Sequence, residues 1–585
     1  VNRVWIAGLC CHVFFYAFAQ QKIPPLERVI SITVAEEPLD EVLKKISQQG
    51  GVSFSYSSKI FDTKRIVSLS VTNKTVRETM ELIFHGGVQY KQKSNYVIIT
   101  RASADEVLVS GYIVDEATGK RLKEVSIYDP VSLRSAVTDE YGFFEMPIEK
   151  PSAEQLKLAI KKSNYTDTLV VVPARRSSFQ NISLNFESEK WKAFTDSVNS
   201  KMNRLWMWTK RSVASINLQN IRDTLHRTWQ VSFLPFIGTN HTMSGNVVND
   251  YSLNILGGFS GGTAVAEFGG LFNIDRGHVH HAQVAGIFNV NGGKTNGIQF
   301  AGMINATLDS VYAIQAAGLI NANQAYSKGV QLAGISNVNL DSYHGPQLAG
   351  LFNFTLRKLE GAQVAGLFNV AVGTAHGAQV AGLFNVEAGT IHGAQVSSLL
   401  NMAWTVEGTQ VGFLNVTDSI TGIPVGFLSF VNKGYHSVEL SADEIFPVNV
   451  ALRTGVRKFY NIVTAGVLPE RADTTTWSFG YGVGTLPKLT KRLSLNIDLT
   501  ANQVVKGNVE KLNLVNKLYL GVDYRVRKKF SLTAGATVNV RVFDAKFTNY
   551  PKLFYAYKPT LLRDYNDSLT GVQMWWGGKI GLRFL

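Results

Sequence analysis

From about residue 251 the chain repeats itself every 16 residues, and any fold proposed for its middle third must place that period. The core Gln-Val-Ala-Gly-Ile-Phe-Asn at 283–289 recurs with Gln299, Gln315, Gln331, Gln347, Gln363, Gln379 and Gln395, and Gln410 follows after 15. The Asn that ends each core recurs in step, from Asn289 through Asn305, Asn321, Asn337, Asn353, Asn369, Asn385 and Asn401 to Asn415; Gly269-Gly270-Leu271-Phe272-Asn273 is a divergent earlier copy. Within one unit Ala362, Val364, Gly366, Phe368 and Val370 share one face, and Gln363, Ala365, Leu367 and Asn369 the other. This period-2 alternation is that of a β-strand with one apolar and one half-polar face.

Two architectures fit. A membrane-spanning strand needs roughly 9 to 11 residues, so each unit fits one strand of a transmembrane barrel, with Phe and Val toward lipid and Gln and Asn toward the lumen. Alternatively each unit is one coil of a β-solenoid in which the Gln and Asn columns stack as ladders. Up-and-down strands end on opposite sides, so their turns should alternate with period 32. Residues 370–375 and 386–391 show no such alternation, which favours the solenoid. The uncharged apolar face, and the direct run into the strands that follow, favour the barrel, and the barrel is the expectation carried forward.

The last 150 residues carry long alternations. Leu493, Leu495, Ile497 and Leu499 alternate with Ser494, Asn496, Asp498 and Thr500, and Leu518, Leu520, Val522, Tyr524 and Val526 with Lys517, Gly521, Asp523 and Arg525. Leu532 to Val542 continues the pattern, and the chain ends with Ile580, Leu582 and Phe584 on one face. A transmembrane barrel with a half-polar interior accounts for this, its last strand closing on a first strand expected at Trp229–Phe236.

At the front, Arg3 precedes an apolar run from Val4 to Phe18, read as a secretory signal (1–19) cut before Gln20. Both cysteines, Cys10 and Cys11, fall inside it, so no disulfide framework is expected downstream; acylation at either is the rival reading. The 51 glycines and 17% charged residues fit turn-rich β-structure. The net charge of +14 comes with no nucleic-acid motif, so anionic lipid or a solvated face, not nucleic acid, is its expected counterpart.

Residues 28–101 read as a small α/β module. Strands are expected at Ile30–Val34, Val52–Ser57 and Ile66–Val71, helices at Pro38–Gln48 and Thr75–Phe84, and a closing hairpin at Val88–Tyr90 and Tyr96–Thr100. Thr75 and Glu78 have capping-box spacing, and Leu39, Val42, Leu43 and Ile46 form one apolar face. With Pro38-Leu39 and Val42-Leu43 at the first helix, the unit resembles the short N-terminal domain of secretins and TonB-dependent signal transducers. The resemblance implies a periplasmic module that docks a regulatory protein.

Residues 105–186 alternate as strands around turns at Asp115–Gly119 and Asp139–Gly142. Val109-Ser110-Gly111, Thr118-Gly119 and Thr138-Asp139 leading to Phe143-Phe144 resemble the carboxypeptidase regulatory-like sandwich, without zinc-ligand spacing. Residues 187–228, with Trp191, Phe194, Val198 and Met202 at helical spacing, read as a linker helix that brings Trp206 and Trp208 near a membrane surface. The remainder, 229–585, is expected to be one barrel with repeats at about 251–430, and those repeats are similar to surface-repeat proteins of spirochaetes and Bacteroidota-type bacteria.

Chemistry is scarce. Gly258-Phe259-Ser260-Gly261-Gly262 has nucleophile-elbow spacing but lacks the strand-to-helix context. His278, His280 and His281 crowd one turn, and His344, His376 and His392 share a repeat phase that Lys328 and Glu360 also occupy, which makes solvated turn residues the simpler reading of them. No catalytic, cofactor-binding or metal-binding residue is assigned and no cofactor is expected. The module order resembles the front of Bacteroidota TonB-dependent receptors, except that about 40 residues stand where a plug domain would be. The expected protein is a mainly β outer-membrane protein with residues 20–228 periplasmic, engaged in signalling or ligand binding through residues 28–101. A passive channel is the alternative, and an enzyme a weaker third.

Overall fold

The computed structural model describes residues 23–101, 106–149, 153–174, 176–187, 212–469, 475–506, 509, 511–546 and 559–585. The signal segment, and the part of the linker that carries Trp191 to Trp208, lie outside them. The chain divides into two compact units, the first of residues 1–225 and 239–246, the second of 226–238 and 247–585.

In the first unit, strands Val29–Pro38 and Ile66–Thr75 pair antiparallel, and Ser53–Ser55, Tyr96–Arg101 and Val88–Lys93 form a second small sheet. Helices Leu39–Gly50 and Val76–Phe84 pack on these strands because their apolar residues recur on one side: Leu39, Val42, Leu43, Ile46, Val76, Met80 and Ile83 share a core with Ile30, Ile32, Val97 and Ile99. The capping box forms, with the Glu78 amide donating to Thr75 Oγ1 at 3.1 Å and the Thr75 amide donating to Glu78 Oε2 at 2.9 Å.

A seven-stranded sandwich follows. Its three-stranded sheet is ordered Ser178–Leu184, Glu106–Asp115, Phe143–Glu149, and its four-stranded sheet Thr168–Pro173, Gln155–Lys161, Ser126–Tyr128, Ser135–Val137. Inward residues such as Val109, Ile113, Phe144, Leu158 and Ile182 fill the space between the sheets. Of the expected linker helix, the described residues show Val213–Asn220, capped where the Ser215 amide donates to Ser212 Oγ.

The second unit decides between the two architectures of the repeats. They form a parallel solenoid. Each 16-residue unit contributes short strands joined by a bend, such as Gln363–Ala365 and Phe368–Ala371, and each pairs in register with its copy one unit on: Gln363 with Gln379, Asn369 with Asn385. The stack runs from Val247–Asn254 to Leu428–Val431. The barrel expected over 229–585 is therefore confined to the rear. The expected first barrel strand near Trp229–Phe236 belongs instead to Leu225–Leu234, which lies at the head of the stack, where Ser232 Oγ donates to Asn254 Oδ1 at 2.6 Å.

The reason is side-chain hydrogen bonding. Asn353 Nδ2 donates both to Asn369 Oδ1 and to the Val364 carbonyl at 2.9 Å, and each Asn along the column repeats the arrangement. Gln363 Nε2 donates back to Gln347 Oε1 at 2.8 Å. Both columns are fully buried. Such amides would be costly in an apolar core, but stacked in register each satisfies the next.

Behind the stack, eight long strands close into a barrel. They are Tyr435–Asp443, Val448–Val456, Phe459–Leu468, Thr476–Thr485, Leu493–Val505, Asn513–Arg527, Phe530–Asp544 and Thr570–Phe584, antiparallel throughout, with the last pairing with the first. Leu561–Asn566 adds to the far end of the last strand. The alternation read from the sequence is kept: Ser494, Asn496 and Asp498 point inward, while Leu499, Leu518, Leu520, Val522 and Leu532 are exposed on the outer wall.

Candidate functional site

Three places concentrate polar chemistry, the first being the barrel interior. Arg583 donates through Nε and Nη2 to Glu439 Oε2 at 3.0 and 2.5 Å, and through Nη1 to Asp523 Oδ2 at 3.0 Å. Lys579 Nζ reaches Glu439 Oε1 at 3.0 Å, and Arg453 Nη2 reaches Asp498 Oδ2 at 2.8 Å. Tyr460 OH donates to the same Asp498 at 2.6 Å. Near one end, Glu444 accepts from Asn539 Nδ2 at 2.7 Å and from the Gly578 amide at 3.1 Å. The cavity left among these groups holds about 50 Å³, room for a water or two. An eight-stranded barrel is about wide enough for its side chains to fill, and here ion pairs fill it.

The second place is the charged edge of the solenoid, where the turn residues lie. Here His376 and His392 stack with ring centroids 4.3 Å apart. His392 Nδ1 lies 2.8 Å from Glu407 Oε2, and His344 Nδ1 2.6 Å from Glu360 Oε2, while Lys358 meets Oε1 of the same carboxylate. The structure thus brings the histidines of common phase into one line. Among the described residues, no three His, Cys, Asp or Glu converge as a metal site. His278 and His281 are engaged by backbone, accepting from the Lys294 amide at 2.9 Å and meeting the Ala264 carbonyl at 3.0 Å. Ser260 is fully buried on strand Gly257–Ser260, its hydroxyl donating to Asp275. The strand-to-helix turn of a nucleophile elbow is not formed there.

The third place lies in the first unit, where the α/β module meets the sandwich. Glu27 accepts from Arg77 Nε at 3.0 Å, Tyr112 OH at 2.7 Å and Arg121 Nη1 at 3.2 Å. The guanidinium of Arg77 lies 3.7 Å over the Phe143 ring, and that of Arg121 lies 3.6 Å over Tyr112. Beside this junction a cleft of about 470 Å³ is lined by Lys74, Glu78, Glu81 and His85 of the module and by Arg176 and Phe179 of the sandwich. Strand Ser178–Leu184 is an edge of its sheet there. Burial pushes the Glu81 carboxyl up to about 7, against the pull of Arg77. This junction was not visible in the sequence: Glu27 precedes the expected module, and its three partners lie 50 to 94 residues away.

Comparison with known proteins reaches only this first unit by family. Residues 52–102 match the secretin and TonB N terminus short domain. That domain occurs in TonB-dependent receptors and secretin-type outer-membrane proteins, which fits a role in the cell envelope. No curated protein matches the chain. Among solved structures, a type II cohesin–X-dockerin complex from Acetivibrio cellulolyticus aligns at 25% identity with a TM-score of 0.11, covering 13% of this chain and 51% of that one.

Proposed function

We propose that the protein is anchored in the outer membrane by its barrel and presents residues 23–187 to the periplasm, where the cleft between the short N-terminal domain and the sandwich docks a partner protein. The observation that carries the reading is the inverted barrel. Leucine, valine and aromatic side chains line its outer wall, whereas Glu439, Arg453, Asp498 and Arg583 are buried within. A water-soluble barrel has the opposite arrangement, and strands of 9 to 15 residues are long enough to span the hydrocarbon. The match to the short N-terminal domain supports a periplasmic face and an envelope signalling role. The sandwich is similar in its turns to the carboxypeptidase regulatory-like domain, and we read it as a spacer or binding module in a Bacteroidota-type protein. No catalytic duty is assigned.

Membrane fractionation with gel migration tests this. The protein should sediment with outer membranes and migrate differently when unboiled, as a closed barrel does; recovery as a soluble monomer without detergent refutes it. The passive-channel reading predicts ion conductance from purified protein in planar bilayers. The ion-paired interior predicts none.

A further inference from the structure

The solenoid, too, buries polar columns and exposes apolar ones. Two of its buried columns are amides, beside a buried apolar column through Tyr343, Leu359, Ala375 and Ile391, while its outward columns on two adjoining faces are apolar and carry no charge over ten rungs. One runs through Met303, Leu319, Ile335, Leu351, Leu367 and Leu383, the next through Phe300, Leu332, Leu348, Val364 and Val380. Leu351 and Val364 are about two-fifths exposed, as are most of their column mates. Along the second column runs a shallow apolar groove of about 830 Å³, lined by Phe300, Leu332, Leu348 and Val364 and by alanines and glycines such as Gly350 and Gly366. Ten rungs at ~4.8 Å make a wall nearly 50 Å long, well beyond the few hundred Å² of contiguous apolar surface usual on a soluble monomer. The charges lie on the opposite edge, at Lys294, Lys328, Arg357, Lys358, Glu360 and Glu407.

Two further features select lipid as the occupant. Hydrocarbon tolerates only backbone whose polar groups are satisfied internally. On the apolar side the amides of the bends are bonded from rung to rung, Leu367 and Phe368 donating to the Leu351 carbonyl at 2.9 and 3.1 Å, and each rung repeats it. The apolar wall also continues onto the barrel's outer surface. Phe427, last in the leucine column, stacks on Tyr481 of the barrel with ring centroids 4.7 Å apart, and Tyr481 OH donates to the Gly426 carbonyl at 3.0 Å.

Resting on the membrane reading of the barrel, we infer that the solenoid lies bedded in the same membrane, its leucine and valine columns against lipid acyl chains and its charged edge in water. It acts as a β-structured counterpart of an amphipathic interfacial helix.

The test uses the full chain carrying Cys10→Ser and Cys11→Ser, reconstituted in phosphatidylcholine vesicles, with one environment-sensitive dye at Leu351→Cys, Leu383→Cys, Thr374→Cys or Leu520→Cys. The inference predicts blue-shifted emission at 351 and 383, quenched by doxyl-labelled acyl chains to the extent seen at 520 on the barrel wall. Position 374 should be quenched by aqueous iodide instead. Iodide quenching at 351 and 383 with lipid quenching kept at 520 overturns the inference and leaves the barrel reading standing. Loss of the lipid signal at 520 as well overturns both. Protection from both quenchers at 351 and 383, with disulfide cross-links between chains, assigns the wall to a second copy and likewise overturns the inference.

Discussion

Replacing Asn369 with leucine tests whether amide ladders or apolar filling hold the solenoid together. Asn369 Nδ2 donates to Asn385 Oδ1 at 2.9 Å and to the Val380 carbonyl at 2.9 Å, and its Oδ1 accepts from Asn353 Nδ2 at 2.9 Å. Leucine removes these three together with a longer bond from Nδ2 to the Gln363 carbonyl at 3.2 Å; each of the three short ones is worth about 0.5–1.5 kcal/mol net, and Asn385 Oδ1 is left buried without its donor at a further cost of about 1–3 kcal/mol. Burying the leucine side chain returns about 1.5–3 kcal/mol. The balance is a destabilisation of about 2–3 kcal/mol, on the order of a hundredfold in local opening. Because the chain has several modules, one unfolding midpoint would blur this, whereas hydrogen exchange read peptide by peptide over 353–401 would not. Rungs next to 369 should exchange faster by that factor, with rungs near 283 unchanged, as expected of a stack stabilised by its neighbours. Val364→Ser, on the outer face, should leave exchange in detergent as it was. Equal or better protection in Asn369→Leu would refute the reasoning.

Three further outcomes follow from the geometry. Glu81 has its folded pKa raised to about 7 from 4.5, so ionising it opposes folding: the first unit should lose up to about 3 kcal/mol as pH rises between those values and no more above them, and Glu81→Gln should flatten that slope in exchange of the 76–93 segment. Arg583→Met removes a buried cation bonded to both Glu439 and Asp523, and should cost the barrel about 3–5 kcal/mol, read as loss of the unboiled gel form at lower temperature, while Phe584→Leu on the outer wall should not. A Cβ at Gly350 would lie 2.0 Å from the Gly334 carbonyl oxygen, so Gly350→Ala should part those rungs and raise exchange in 334–366 without touching the barrel.

Much of this architecture was legible, for reasons that differ by region. The helices and strands of residues 29–101 follow from capping residues and apolar spacing, which are local signals. The barrel wall was readable because an apolar outer wall and a polar interior impose period 2 on Leu518–Val526 and its neighbours. The Glu27 junction was hidden because its partners are brought together only by packing. The barrel's ion pairs were equally hidden: Glu439 and Arg583 stand 144 residues apart, and nothing along the chain says that the strands bearing them are neighbours.

The repeats held a decisive signal of a different kind. In an antiparallel pair of strands, partner positions sum to a constant. If Gln363 faced Gln379, then Asn369 would face position 373, and the asparagines could not meet. A constant offset of 16 lets Gln363 meet Gln379 and Asn369 meet Asn385 together, as they do. Two polar columns that recur in step, six residues apart, therefore require parallel neighbours if like amides are to bond with like. That condition is set by burial, because in a water-filled lumen the same side chains would need no protein partner at all. The apolar face that pointed to a barrel describes the outer surface of the repeats, while the amide columns identified their fold. The two clues conflict only if an apolar-walled β-structure has to be an up-and-down barrel, and a stack of parallel rungs puts the same apolar side chains outward by another route.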